Sequence, residues 1–206
     1  MDYRGTLKYI GTYHTKNTIM KLALLASHNG SALDSIYSAI TNEQLKDLEL
    51  SLIISNNSNA KVLQKAAAYG IPSKCVNAKT ATDPNETLFK TLQEASIDII
   101  FLAGYMKKLP AIITQNFKVI NSHPALLPKF GGTGMYGRYV HEAVIANKET
   151  ISGVSIHEVN ENYDEGAIIL QKSLTLHADE TVDSLEKRIK ELEKSAIIEG
   201  LIKCLS

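Results

Sequence analysis

Only two cysteines occur in the 206 residues, Cys75 and Cys204, and tryptophan is absent. The cysteines show no CxxC spacing and join no His/Cys cluster, which disfavours both a disulfide framework and a structural zinc site. Neither sign of charge is in excess: Lys+Arg and Asp+Glu each total 22. That argues against a nucleic-acid partner held by a broad electrostatic footprint, while leaving room for a basic pocket for one phosphate. No apolar run approaches the ~20 residues of a membrane span, so no membrane partner is expected. Residues 1–19 hold Tyr3, Tyr9 and Tyr13 but no apolar signal core, unlike a secretory peptide. The expected setting is cytoplasmic. Met20 directly precedes the first strand-like run, so either it is the natural start or residues 1–19 form a poorly packed extension.

What the chain does have is core. Hydrophobic residues make up 44% and charged residues 21%, enough for one large α/β domain over residues 20–206. Short apolar runs at 21–26, 50–54, 73–76, 97–102 and 118–121 predict strands. Between them, residues 32–40, 61–69 and 83–95 carry helical spacing, with Gly70 as a C-terminal stop and Pro84 at a tolerated early helical position. A short helical piece near 110–115, a helix over 139–147, strands at 152–159 and 167–171 and a closing helix over 181–204 complete the pattern. Strands alternating with helices predict a doubly wound, mostly parallel sheet with helices on both faces. In such sheets ligands bind beyond the carboxyl ends of the strands.

Three segments fall at those ends. Ser27-His28-Asn29-Gly30-Ser31 follows the first strand and opens the first helix. Exposed amides at a helix N-terminus favour an anion, and Gly30 lets the backbone come close. It is neither GxGxxG nor GxxxxGK[ST], so a dinucleotide or nucleoside triphosphate is disfavoured. The plain alternative is a capped βα turn with Ser31 as N-cap. The loop Ala103-Gly104-Tyr105-Met106 is the second segment. The third is Ile120-Asn121-Ser122-His123-Pro124-Ala125-Leu126-Leu127-Pro128. Residues i and i+2 of a strand point to one face, so Asn121 and His123 can aim at one point. An amide donor and a titratable imidazole on one target suit acyl transfer: one holds an oxyanion, the other moves a proton. The plain reading is a strand end whose side chains satisfy nearby backbone groups.

Asp164 lies in a polar turn between two strands. Either it is simply solvated, or it folds back to orient and charge His123. His157, on the strand before it, is read as a satisfied strand histidine that could support such a cluster. The alternating charges of the closing helix predict a solvated face.

Taken in order, these motifs resemble the glycinamide ribonucleotide (GAR) transformylases, folate-dependent formyltransferases of purine synthesis. The likeness runs from about Met20 to Leu201. It rests on the 27–31 turn, Leu102-Ala103-Gly104-Tyr105-Met106, the 121–128 segment, and His157 through Asp164 to Ile168-Ile169-Leu170-Gln171. It implies the formyltransferase, Rossmann-like fold and passage of a formyl group from 10-formyltetrahydrofolate to the amine of GAR, without a metal. Asn121, His123 and Asp164 match the family's catalytic trio, with Asp164 favouring charged His123 and helping to carry the amine proton through water. Asn29, Gly30, Ser31 and Ala32 match the phosphate turn, and Glu193 a closing-helix carboxylate that contacts GAR. Tyr105, Met106, Lys107, Lys108 and Leu109, with Asn121, match the folate pocket.

The chain departs from the pattern at His28 and Glu165, where glycine is frequent, and at Ala32, where asparagine is. No arginine occurs between Lys61 and Lys107, upstream of the folate wall. The Gly-rich stretch 130–137 reads either as a mobile loop by the site, with His141 after it as an extra contact, or as plain surface. Methionyl-tRNA formyltransferase would need a further C-terminal domain, and formyltetrahydrofolate deformylase an N-terminal one. A deformylase-like hydrolase, a sugar N-formyltransferase and a non-catalytic folate- or phosphate-binding module are the alternatives. A monomer and a homodimer are equally compatible with the sequence.

Overall fold

The computed structural model describes residues 19–162 and 164–205. The expectations for residues 1–18 lie outside the described residues. Seven strands form one sheet: β1 (Met20–Leu25), β2 (Leu48–Ser55), β3 (Ser73–Cys75), β4 (Ile99–Leu102), β5 (Lys118–His123), β6 (Ile151–Glu158) and β7 (Ile168–Thr175). Six helices connect or flank them: α1 (Ser31–Thr41), α2 (Lys61–Ala68), α3 (Pro84–Glu94), α4 (Ala111–Asn116), α5 (Arg138–Ala146) and α6 (Val182–Leu205).

The helix ends follow their sequence signals. Asp83 caps α3, its carboxylate accepting from the Asn85 and Glu86 amides, with Pro84 in the first turn. Gly70 follows α2 at φ 68°, a left-handed stop that glycine adopts without strain. The α1 terminus differs from the expected Ser31 cap. Ser31 is the first helical residue, Gly30 takes the cap position at φ 55°, and no side chain caps the helix. The amide end of α1 is thus left to whatever lies beyond β1.

The strand order is β3-β2-β1-β4-β5-β6-β7. β1 is buried throughout Leu22–Leu25, as expected of a central strand covered on both faces. Alternate residues divide between two cores. Leu22 and Leu24 pack with helices α1, α2, α5 and α6 through Leu33, Ile36, Val62, Val144, Ile189 and Ile197. Ala23 and Leu25 pack with α3 and α4 through Leu88, Leu92 and Ile113. The order reverses between β1 and β4, which opens a crevice at their carboxyl ends.

The sheet is parallel from β3 to β5, then antiparallel at β5–β6 and β6–β7. The chain spends residues 124–146 on the carboxyl side of β5 and never returns to its start. β6 therefore enters from beyond that end: Ser155 pairs with His123, and Asn121 with His157.

Candidate active site

The carboxyl ends of β1, β4 and β5 open into a cleft of about 860 Å³. Every site residue expected from the sequence lines it: Asn29 to Ala32 from the α1 turn, Tyr105 to Leu109 after β4, Asn121 and His123 on β5, Asp164 from the β6–β7 turn, and Glu193 on α6. These segments, up to 164 positions apart in the chain (29 to 193), meet because three strand ends and one helix converge there.

The catalytic corner is held by both strands of the antiparallel pair. His123 is 3% exposed and His157 1% exposed. His123 Nε2 lies 2.7 Å from the Phe130 carbonyl. A carbonyl only accepts, so this nitrogen carries the proton, and Nδ1 is left to gain or lose one. Nδ1 sits 3.6 Å from Asp164 Oδ2. Burial pushes the His123 pKa below its ordinary value; Asp164 and the Phe130 carbonyl oppose this without overcoming it. Asp164 thus favours the imidazolium, as expected from the sequence, while loss of solvation disfavours it.

Asp164 is itself pinned. Its Oδ2 accepts from the Gly132 amide at 2.9 Å, which ties the Gly-rich stretch to the corner. Its backbone holds φ 56°, a left-handed conformation that Asp tolerates better than most residues. Burial raises its pKa, but the contact with His157, the Gly132 amide and His123 outweigh burial and hold it below the usual carboxylate range. The next turn residues are shaped by backbone contact: a Cβ on Gly166 would come within 1.7 Å of the Glu158 carbonyl oxygen. Glu165 accepts from Asn162 Nδ2 at 2.8 Å.

His157 is the member whose role the sequence understated. Its Nδ1 donates to the Glu158 carbonyl at 2.8 Å, so Nε2 accepts from Asn121 Nδ2 at 3.1 Å. Nε2 also lies 3.5 Å from Asp164 Oδ1. One imidazole therefore touches both the amide and the carboxylate of the trio. The cross-strand pairing that places it there depends on β6 running antiparallel to β5.

The opposite face of β5 carries Ser122, whose hydroxyl donates to Glu193 Oε1 at 2.5 Å. Burial raises the Glu193 pKa, while Ser122 and Lys190 pull it down. At the far side, Ser27 Oγ accepts from the Met106 amide at 2.7 Å and donates to Asn56 at 2.5 Å. That buried hydroxyl joins the α1 turn to the Tyr105–Leu109 wall. Tyr105 is half-buried there, and burial raises its phenol pKa. Met106, Lys107 and Lys108 are exposed along the rim. The sequence placed His157 and the 130–137 stretch near the site, but the specific contacts of His157, Phe130, Gly132 and Ser122 come only from the β5–β6 register and the loop path.

Among the described residues, no group of three or more His, Cys, Asp or Glu side chains is arranged to hold a metal ion. No described helix is long and apolar enough to cross a membrane.

The formyl transferase family profile matches residues 20–201. The phosphoribosylglycinamide formyltransferase of Bacillus subtilis is 32% identical over 178 residues, covering 84% of this chain and 88% of that protein. The chloroplastic phosphoribosylglycinamide formyltransferase of Arabidopsis thaliana is 34% identical over 186 residues, covering 87% of this chain. The chain spans 63% of the length of that chloroplastic relative. A crystal structure of phosphoribosylglycinamide formyltransferase from Anaplasma phagocytophilum superposes with a TM-score of 0.79 at 32% identity, covering 88% of this chain and 84% of that one. With a family profile running from β1 to the last turns of α6, the chain belongs to the formyl transferase family.

Proposed function

We propose that the protein transfers the formyl group of 10-formyltetrahydrofolate to the amine of GAR in purine (IMP) biosynthesis. The observation that carries this reading is one cleft lined at once by the anion-ready α1 turn, the Tyr105–Leu109 wall and the Asn121–His123–Asp164 corner. The names borne by its relatives support the choice of substrates.

In this scheme the uncapped amides of α1 receive the phosphate, and Gly30 permits the approach. Glu193 accepts from the ribose hydroxyls. The Tyr105–Leu109 wall, with Asn121, seats the folate. These contacts hold the amine near the formyl carbon, so that attack becomes effectively unimolecular. Negative charge then develops on the formyl oxygen. Asn121 Nδ2 has two N–H bonds; His157 takes one, leaving the other to stabilise that oxyanion. His123 takes a proton from solvent at Nδ1 as this charge grows, since an adjacent anion offsets the desolvation that disfavours the charged ring, and returns it to solvent when the intermediate collapses. Asp164, ionised, takes the proton released by the attacking amine through water. Collapse of the tetrahedral intermediate breaks the bond to the folate nitrogen, which receives that proton. The reaction joins two small polar molecules, and a cytoplasmic setting is part of the proposal.

Incubating the purified protein with GAR and 10-formyltetrahydrofolate tests it. GAR-dependent release of tetrahydrofolate is expected. Release without GAR would instead identify a deformylase, and formylation of an amino sugar a sugar N-formyltransferase. No turnover with folate or phosphate binding alone would leave a binding module.

A further inference from the structure

His141 lines the cleft from α5 and has no part in the chemistry above. It is 3% exposed. Its Nδ1 is sealed from solvent and has no hydrogen-bond partner; among the described residues only Ser152 Oγ shares that condition, and Ser152 is not part of the cleft wall. A buried N–H with no acceptor is a costly arrangement, whereas a bare lone pair is better tolerated. The ring proton therefore belongs on Nε2. That nitrogen is not among the sealed, unpartnered atoms, and the residue lines the cleft.

The surroundings favour the neutral ring. Burial lowers the His141 pKa; Glu186 opposes this, while Lys190, Arg138 and His123 add to it. A second proton would have to sit on Nδ1, where nothing receives it. In its neutral form His141 is thus a donor through Nε2.

Its neighbours in the cleft wall lie on one face of α6, which packs against α5. Glu186, Ile189, Lys190 and Glu193 recur at helical spacing and all line the same wall. This wall supplies a carboxylate that accepts, an ammonium, and a neutral N–H that donates. Hydroxyls both donate and accept, so a sugar bearing several of them matches such a mixed set better than a purely anionic or purely apolar ligand does. We propose that His141 binds the amine substrate directly, its Nε2–H donating to an oxygen of the ribosyl-phosphate half. The proposal rests on GAR being that substrate and adds a contact that the turn and Glu193 do not supply.

Calorimetric titration of GAR into the full chain, followed by steady-state kinetics, tests this. His141→Phe keeps the ring volume, removes the orphaned nitrogen and is expected to hold or raise Tm. It should weaken GAR binding and raise the GAR KM by about tenfold, the size of one hydrogen bond. kcat and the folate KM should stay near wild type, because the contact is made equally in the ground and transition states. His141→Gln, which carries an amide N–H near the Nε2 position, should recover part of the loss; His141→Ala should not. A folded His141→Phe or His141→Ala that binds GAR as wild type does would overturn the role of His141 and leave the GAR reading standing. Wild-type protein that binds no GAR would overturn both.

Discussion

The catalytic corner and the substrate rim share one cleft but are built on opposite terms. At the corner, His123 and His157 are almost wholly buried, and the side chains of Asn121, His123, His157 and Asp164 all have a named partner. At the rim, His28, Asn29, Ser31, Lys107 and Lys108 are exposed, and the anion site rests on backbone amides. Of the positions at which the resemblance breaks, His28 and Glu165 are exposed on the rim or the outer turn, whereas Ala32 is buried at the start of α1. Proton transfer and oxyanion stabilisation depend on fractions of an ångström, whereas binding is spread over many weak contacts and tolerates exchange.

Mutations should expose that asymmetry. His123→Ala is expected to lower turnover by about 10²–10⁴-fold while leaving GAR affinity nearly intact; normal turnover would remove His123 from the mechanism. Asn121→Ala should cost about 10²–10³-fold in kcat, read in the same assay, as the loss of one oxyanion donor. Asn121→Ala also breaks the link to His157, so the double variant Asn121→Ala/His157→Phe should show less than the product of the single effects. His157→Phe alone should lower kcat by roughly tenfold and move its pH profile, because it frees the Asn121 amide and changes the group packed 3.5 Å from Asp164 Oδ1. An unchanged profile would reduce His157 to packing.

On the rim the first expected casualty is the backbone. Gly30→Ala puts a Cβ 2.4 Å from Val62 Cγ2 at φ 55°. It should cost about 1–2 kcal/mol in denaturant unfolding and raise the GAR KM, with kcat hardly touched. A fall in kcat as large as that of Asn121→Ala would erase the distinction between the two regions.

Acidification should affect the corner more gently. The native pKa values of His123 and His141 lie below the ordinary 6.5. As pH falls through 6.5 the unfolded chain takes up protons that the native state refuses, and stability drops until the native pKa values are passed. The low Asp164 pKa adds a second loss at lower pH, as that carboxylate is protonated through its native pKa. Thermal melts between pH 7 and pH 5 should therefore show a falling Tm, less steep in His123→Phe, and a flat Tm would contradict the burial-driven shifts.

Much of this was legible before the structure. The β1–α1 turn, the Asp83 and Gly70 helix boundaries and the pairing of Asn121 with His123 on one strand face are all short-range patterns. Strand 97–102 begins two residues later than its apolar run suggests, at Ile99, a small error typical of element edges. Other features were not legible. Ser31 reads as a natural cap, yet Gly30 holds that position because the chain must turn tightly against Val62. His157 looked like an ordinary strand histidine, and the orphaned Nδ1 of His141 has no signature in residue order.

By itself, then, the sequence determined which segments would be strands and helices, where the polar residues of the cleft would project, and the family to which those motifs belong. Such information is local, carried by periods of two and 3.6 residues and by capping chemistry. Tertiary structure alone decided the antiparallel turn of the sheet after β5, the pairing of Asn121 with His157, and the burial that lowers the His123 pKa. Those outcomes depend on which distant groups share a dry volume, since desolvation and partner distance are properties of the packed chain.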